Sequence, residues 1–319
     1  MRLIHTKTRE IVEFVGSQTP EYGILSHTWE AGEATFQDAE RMSSGNTLRL
    51  RVGSGSTQGF DKIRNVCEIA RRDQLEWIWV DTCCIDKSSS SELTEAINSM
   101  FEWYASARIC YAFLADLSPT DSNNHIPRCR WFTRGWTLQE LIAPSTLKFY
   151  DKTWQYRGSK QDLSGLIQEA THVNEDVLHG RIPLRALPVG QRMSWAAGRQ
   201  TTRPEDIAYC LLGLFDVNMP LIYGEGSKAF VRLQEEIIRQ TNDLSVFLWR
   251  AKPSDSRQYR GIFAESPDEF VSASNIRKLV ASGLESQEAH TCWSGFKRFS
   301  TSTRNPFPLP PDLHVSEPA

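Results

Sequence analysis

Tyr22-Gly-Ile-Leu-Ser26 is an apolar run of strand length that ends on polar residues, and the first half of the chain repeats that pattern. Trp77-Ile-Trp-Val80, Ile109-Cys-Tyr-Ala-Phe-Leu114 and Leu147-Lys-Phe-Tyr150 are three more strands of the kind. Between them the period becomes helical. Phe60, Ile63, Cys67 and Ala70 predict a helix over 59–73. Leu93, Ala96, Ile97, Met100, Phe101 and Tyr104 predict another, opened by Ser89 and Glu92 at capping-box spacing. A shorter helix is expected over 34–42. One more is expected over 131–142, ended by Pro144, because the residue before a proline is pushed out of helical geometry. Arg2-Leu-Ile-His5 and the alternating Ile11-Val-Glu-Phe-Val15 predict two short strands ahead of the first buried run. Strands alternating with helices in this way predict an α/β domain over 1–155, with a mainly parallel sheet flanked by helices.

After Trp154 helical periods take over, at 163–170, 189–197, 205–215 and 227–240. They predict an all-helical extension over 156–250, packed on the first domain. Beyond it the chain is polar and broken by Pro306, Pro308, Pro310 and Pro311. A partly ordered polar tail is expected over 251–319, in which Gly261-Ile-Phe263 and Glu269-Phe-Val271 can dock and the last residues are disordered. The Gly/Ser-rich stretch 43–59 predicts an exposed loop. Its Gly53-to-Gly59 segment lacks the Lys-Ser/Thr ending of a phosphate cradle.

Composition narrows the class. With 40% hydrophobic and 24% charged residues the chain can bury a sizeable core. Thirty-six basic residues are spread among 39 acidic ones, for a net charge of −3, so nothing in the charge pattern points to nucleic acid or an anionic membrane. Seven irregularly spaced cysteines, two of them adjacent at Cys83-Cys84, predict buried reduced thiols rather than a disulfide framework. The N-terminus has no signal-peptide run and no apolar stretch is long enough for a membrane span, so a cytoplasmic protein is expected.

Candidate chemistry gathers in three stretches: Tyr22 to Trp29, Trp77 to Asp86 and Arg134 to Ile142. In the third, Trp136 and Glu140 are four residues apart and share a helix face, an aromatic beside a carboxylate. Two readings of Glu140 stand on chemistry alone. It pairs with Arg134 on a surface helix, or it points into a cleft beyond the strand ends. His27 with Asp81 or Asp86 offers a base and its orienter. Cys83 or Cys84 with His27 is the thiol alternative, without any protease signature, and Ser26 lacks a nucleophile elbow. The spacing of His27, Cys83, Cys84 and Asp86 is not that of a zinc site, so no metal is expected. Tyr223-Gly-Glu-Gly226 has the look of an anion site at a helix start, but Glu225 would repel phosphate; a turn that positions the last helix is the plainer reading.

Taken in order, Tyr22-Gly-Ile-Leu-Ser-His-Thr-Trp29, Trp79-Val-Asp-Thr-Cys-Cys-Ile-Asp86 and Arg134-Gly-Trp-Thr-Leu-Gln-Glu140 resemble the signature blocks of the fungal heterokaryon-incompatibility (HET) domain. Glu95 to Phe101, Cys129 to Trp136 and Leu221 to Gly226 extend the resemblance over about residues 1–250. It is nearest to the N-terminal part of vegetative incompatibility proteins, in which a nucleotide-binding domain and a propeller follow. The family implies a cytoplasmic effector of programmed cell death in non-self recognition. It also resembles, remotely, the TIR fold, a flavodoxin-like arrangement. There a Ser-x-Trp-Cys-x-x-Glu-Leu pattern carries the glutamate of NAD-cleaving members, matched here at Trp136, Glu140 and Leu141, with Thr137 where cysteine is usual. The resemblance implies Glu140 as catalytic residue and Ser26, His27, Trp29, Asp81, Arg134 and Trp136 as substrate-binding residues. It implies no cofactor, NAD as the substrate, and self-association or a nucleotide-binding repeat receptor as partner. The alternative it carries is a non-enzymatic signalling module that works by oligomerisation and recruitment.

Overall fold

In the computed structural model all six residues of Tyr22–His27 are buried, as a strand covered on both faces requires. The structure describes residues 1–41, 48–49, 58–257 and 259–276, all within one compact unit. Eight strands follow in chain order: β1 (Arg2–His5), β2 (Glu10–Glu13), β3 (Tyr22–His27), β4 (Leu48–Arg49), β5 (Trp77–Trp79), β6 (Ile109–Phe113), β7 (Leu147–Tyr150) and β8 (Tyr156–Ser159). They form one sheet in the order β4-β2-β1-β5-β3-β6-β7-β8.

The four predicted buried strands are its centre. β5, β3, β6 and β7 are parallel, with β3 in register with β6 from Gly23–Ile109 to His27–Phe113. The expectation of a mainly parallel sheet is corrected at both flanks. β1, β2 and β4 add antiparallel on one side and β8 on the other, so the sheet is mixed. Two of these pairs, β1–β2 and β7–β8, are hairpins, since tight loops can join only antiparallel neighbours. Asp151 makes the second hairpin by accepting from the backbone N–H groups of Thr153 (2.9 Å) and Gln155 (3.1 Å), with Trp154 in the left-handed region at φ 63°. The extension is therefore not all helical, since it opens with β8.

The helices are α1 (Phe36–Arg41), α2 (Gln58–Arg72), α3 (Asp81–Cys84), α4 (Ser90–Ser106), α5 (Thr137–Ile142), α6 (Ser164–Thr171), α7 (Glu175–Leu178), α8 (Val189–Ser194), α9 (Asp206–Tyr209), α10 (Leu212–Phe215) and α11 (Lys228–Gln240). Half of the expected capping box is present on α4. Ser89 Oγ accepts from the Glu92 amide, while the Glu92 carboxylate goes instead to the Asp86 amide (2.8 Å) and Arg2. The helix expected over 205–215 is divided at Cys210–Leu211 into α9 and α10, and Asp216 closes α10 in the left-handed region. α10 packs on α4, and α8 packs on the turn Pro267–Ala273, where Phe270 is fully buried. The loop expected over 43–59 and the chain end beyond 276 lie almost wholly outside the described residues.

The 131–142 segment departs from expectation in a way that matters for the site. It is a 3-10 turn at Arg130–Thr133, an extended Arg134, and only then α5. The break is made by Gln200, which bridges to Arg134 in parallel β fashion: Gly135 N–H donates to Gln200 O (2.8 Å), and Gln200 N–H to Thr133 O (2.7 Å). Gly135 permits this approach, since a Cβ there would lie 2.5 Å from Thr201 Cγ2 and 3.1 Å from Cys210 Sγ.

Candidate functional site

The parallel strands β5, β3 and β6 end together on one edge of the sheet. The chain leaves β3 toward β5 on one side and reaches β6 on the other, which opens a crevice beyond the carboxyl ends of the strands. A cleft of about 310 Å³ lies there. His27 arrives from the end of β3, Asp81 from the residues after β5, Tyr104 from α4, and Trp136 and Glu140 from the start of α5. Trp136 and Glu140 do share a face, as their spacing predicts.

Glu140 is buried to 7% exposure, with its carboxyl against Ser26. Ser26 Oγ donates to Glu140 Oε2 and accepts from Trp131 Nε1–H at 2.7 Å. The Tyr104 hydroxyl, which donates to Leu25 O at 3.2 Å, also reaches this carboxyl. Burial pushes the Glu140 pKa up to about 8. Ser26 pulls against that shift, the charge of Asp81 adds to it, and Tyr104 and Arg134 pull it down. Glu140 is thus the floor of a cleft rather than half of a surface ion pair.

The other predicted residues separate by position. Trp29 is exposed at the rim, and its indole N–H donates to Asp81 Oδ2 at 2.8 Å. Lys87 stands 3.5 Å over the Trp29 ring. Ser26 is fully buried behind Glu140 and does not reach the cleft wall. The His27 ring lies between Asp81 (Nδ1 to Oδ1, 3.9 Å) and Glu33 (Nε2 to Oε2, 3.5 Å), so Asp81 and not Asp86 is its carboxylate on the cleft side. Asp86 is taken by the Ser88 amide and hydroxyl (2.9 and 2.6 Å) and by Gln37 (3.0 Å). Burial alone would raise Glu33, but His27 and Lys62 outweigh it and bring its pKa down to about 2. Cys83 and Cys84 are buried away from the cleft, and burial raises the Cys83 thiol well above its ordinary range, which is the reverse of what a nucleophile needs.

Residues 22–126 match the heterokaryon incompatibility protein (HET) family model. Over 241 residues the chain is 43% identical to "Vegetative incompatibility protein HET-E-1" of Podospora anserina. This is a HET-domain protein. The aligned region is 72% of this chain and 17% of that relative, so the chain spans a small part of the protein it matches. Residues 228–260 also match a domain of unknown function, DUF8212. No solved structure is a significant match.

The match 22–126 holds Ser26, His27, Trp29, Asp81 and Tyr104, and it stops short of Trp136 and Glu140. One wall of the HET-domain cleft comes from farther still: Thr202, Arg203, Asp206 and Tyr223 of the extension. Sequence reasoning missed this wall. Tyr104 fell on the apolar face of α4 and was counted as core, while the 202–223 residues lie 60 or more positions from Glu140 with no shared period. The signal nearest to them was Tyr223-Gly-Glu-Gly226. There the structure gives the anion-site geometry a resident. Glu205 Oε1 accepts from the Gly224 and Gly226 amides, both at 2.9 Å, and Glu225 turns away to Tyr209 and Arg232. The turn therefore clasps α9 and sets Tyr223, whose hydroxyl donates to Asp206 (3.1 Å), at the cleft.

Proposed function

We propose that this chain is an effector of heterokaryon incompatibility that triggers programmed cell death in the cytoplasm by cleaving NAD, with Glu140 as the catalytic residue. The observation that carries the reading is the position of the Glu140 carboxyl, at the floor of a cleft beyond the ends of parallel strands and four residues from Trp136. Among the parallel strands the order β5-β3-β6-β7 is the second, first, third, fourth pattern of flavodoxin-like folds, which supports the TIR-like kinship.

The chemistry asks little more of the protein. Cleavage of the N-glycosidic bond expels neutral nicotinamide with the bonding electron pair, so no general acid is required; water then adds to C1′ and gives up a proton, leaving ADP-ribose. A single carboxylate that holds the ribose hydroxyls and faces the developing oxocarbenium ion lowers the barrier. Ser26 fixes the Glu140 carboxyl, and the Trp136 ring supplies a flat wall for the departing ring. Bound NAD brings a cationic pyridinium, which favours the ionised form of Glu140 at the moment it is needed. A nucleotide-binding repeat receptor, or a second copy of the domain, is the partner that switches the effector on.

The test is nicotinamide release from NAD by purified protein. Glu140→Gln keeps the shape and removes the charge, and should lower the rate about 100-fold or more. Full activity in that variant removes Glu140 from the reaction. Cell death that persists in Glu140→Gln while nicotinamide release is lost makes the domain a recruitment module instead.

A further inference from the structure

We infer that the HET-domain cleft carries a diphosphate subsite, formed by the guanidinium groups of Arg134 and Arg203, so that the extension selects dinucleotides over nucleosides. The inference rests on the NAD reading and deepens it. Both arginines line the cleft, and one precedes α5 while the other precedes α9. The Gln200 bridge brings their segments together, and Arg134 Nη1 reaches Thr202 Oγ1 at 3.4 Å, the residue next to Arg203. Neither takes part in an ion pair among the described residues. Arg203 is exposed, with its guanidinium carbon 4.3 Å from the centroid of the Tyr223 ring, a contact that holds the side chain at the cleft.

The carboxylates facing these two cations are otherwise engaged. Asp206 is held by the Tyr223 hydroxyl and reached by the Trp136 indole N–H, and burial raises its pKa. Glu205 is bound by the Gly224 and Gly226 amides. Glu140 is held by Ser26. Two guanidinium groups that line one cleft outside any ion pair among the described residues, although Glu140 feels the charge of Arg134 and Asp206 that of Arg203, fit a ligand with two adjacent anionic groups. Planar forks are suited to phosphate oxygens taken two at a time. With the ribose at Glu140, the diphosphate of a dinucleotide leads outward past them.

Calorimetric titration with ADP-ribose reads the subsite without turnover, and inorganic pyrophosphate serves as the competing probe. ADP-ribose should bind, pyrophosphate should displace it, and Arg203→Ala should weaken binding about tenfold or more, with Arg203→Lys in between. Added salt should weaken the parent more steeply than Arg203→Ala. Equal ADP-ribose affinity in parent, Arg203→Ala and Arg134→Ala overturns the subsite, as does a parent that binds neither probe. The side chain of Arg203 is at the surface, so loss of fold is not in prospect, and a thermal melt of each variant checks it. Arginine-dependent ADP-ribose binding without nicotinamide release from NAD leaves the subsite standing and overturns the Glu140 reaction.

Discussion

A carboxyl with its pKa near 8 makes Glu140 both a functional asset and a burden on the fold. Its ordinary value is 4.5, so between these limits the unfolded chain releases the proton that the folded chain keeps. Folding then binds protons, and the stabilising contribution, complete below the ordinary value, falls as pH rises toward about 8. Glu140→Gln cannot ionise. It should therefore melt at higher temperature than the parent at and above neutral pH, by a few kcal/mol in unfolding free energy at pH about 8, with the gap closing in acid. Paired melts across pH check this, and a variant that is less stable at every pH would mean that the Ser26 contact outweighs the burial cost. The same shift gives the reaction a signature. If the ionised form works, kcat/KM for NAD climbs with pH and levels above about 8, while the limb in kcat lies lower because the bound pyridinium favours the anion. A flat profile from about pH 6 to 9 contradicts a role for the anion.

At the scale of elements, α5 is short, six residues, and would have little reason to stay in place alone. Two buried cations hold its ends. Lys160 at the start of the extension donates to the carbonyls of Leu141 (3.2 Å), Ile142 (3.4 Å) and Pro144 just past the C-terminus, and burial lowers its own pKa to about 8. Arg199 donates to Arg134 O at 2.8 Å, ahead of the helix, and to Thr137 Oγ1 at 3.2 Å in its first turn. Lys160→Met would strip three buried carbonyls of their donor and should cost about 2–4 kcal/mol, read by denaturant titration. Gly135→Ala acts on the same element by sterics. Its Cβ must push Thr201 away, so the loss should be about 1–3 kcal/mol together with a drop in nicotinamide release as Trp136 and Glu140 shift. Unchanged stability and rate in Gly135→Ala would show that the Gln200 bridge can open without consequence.

These elements also show how far the sequence can be read. The four central strands and α2, α4 and α11 were legible because each is long enough for its period to appear, and because a strand buried on both faces is apolar throughout. Trp136, Glu140, His27, Trp29 and Asp81 were legible as one site because residues at the ends of parallel strands converge on one edge. The break at Arg134 was not legible. The segment has helical spacing, and what interrupts it is Gln200, whose approach depends on chain far away. β8 was missed for a different reason: its four residues are mostly polar, and Asp151, which makes the turn, is a common residue in any loop. Arg203, Asp206 and Tyr223 carry no period that ties them to Glu140 at all.

On the scale of the molecule, the question is whether the region after β8 is a separable appendage. Its contacts say that it completes the α/β part. Gly213 in α10 sits so close to α4 that a Cβ would lie 2.0 Å from Phe101 Cβ, and Met100 and Phe101 belong to the apolar face that α10 covers. Asn98 on the same helix exchanges hydrogen bonds with the backbone of Met219, donating to its carbonyl at 3.3 Å and accepting from its amide at 3.1 Å. Without the extension α4 would expose that face, and α5 would lose Arg199 and the Gln200 bridge. A fragment of residues 1–160 should accordingly lack a cooperative thermal transition and bind a hydrophobic dye, whereas 1–276 melts in one step. The discriminating detail is the amide exchange of β3. Its slow exchange in 1–276 should be lost in the fragment if sheet and extension unfold together. If β3 stays protected there, the sheet is stable alone and the extension serves only to shape the cleft.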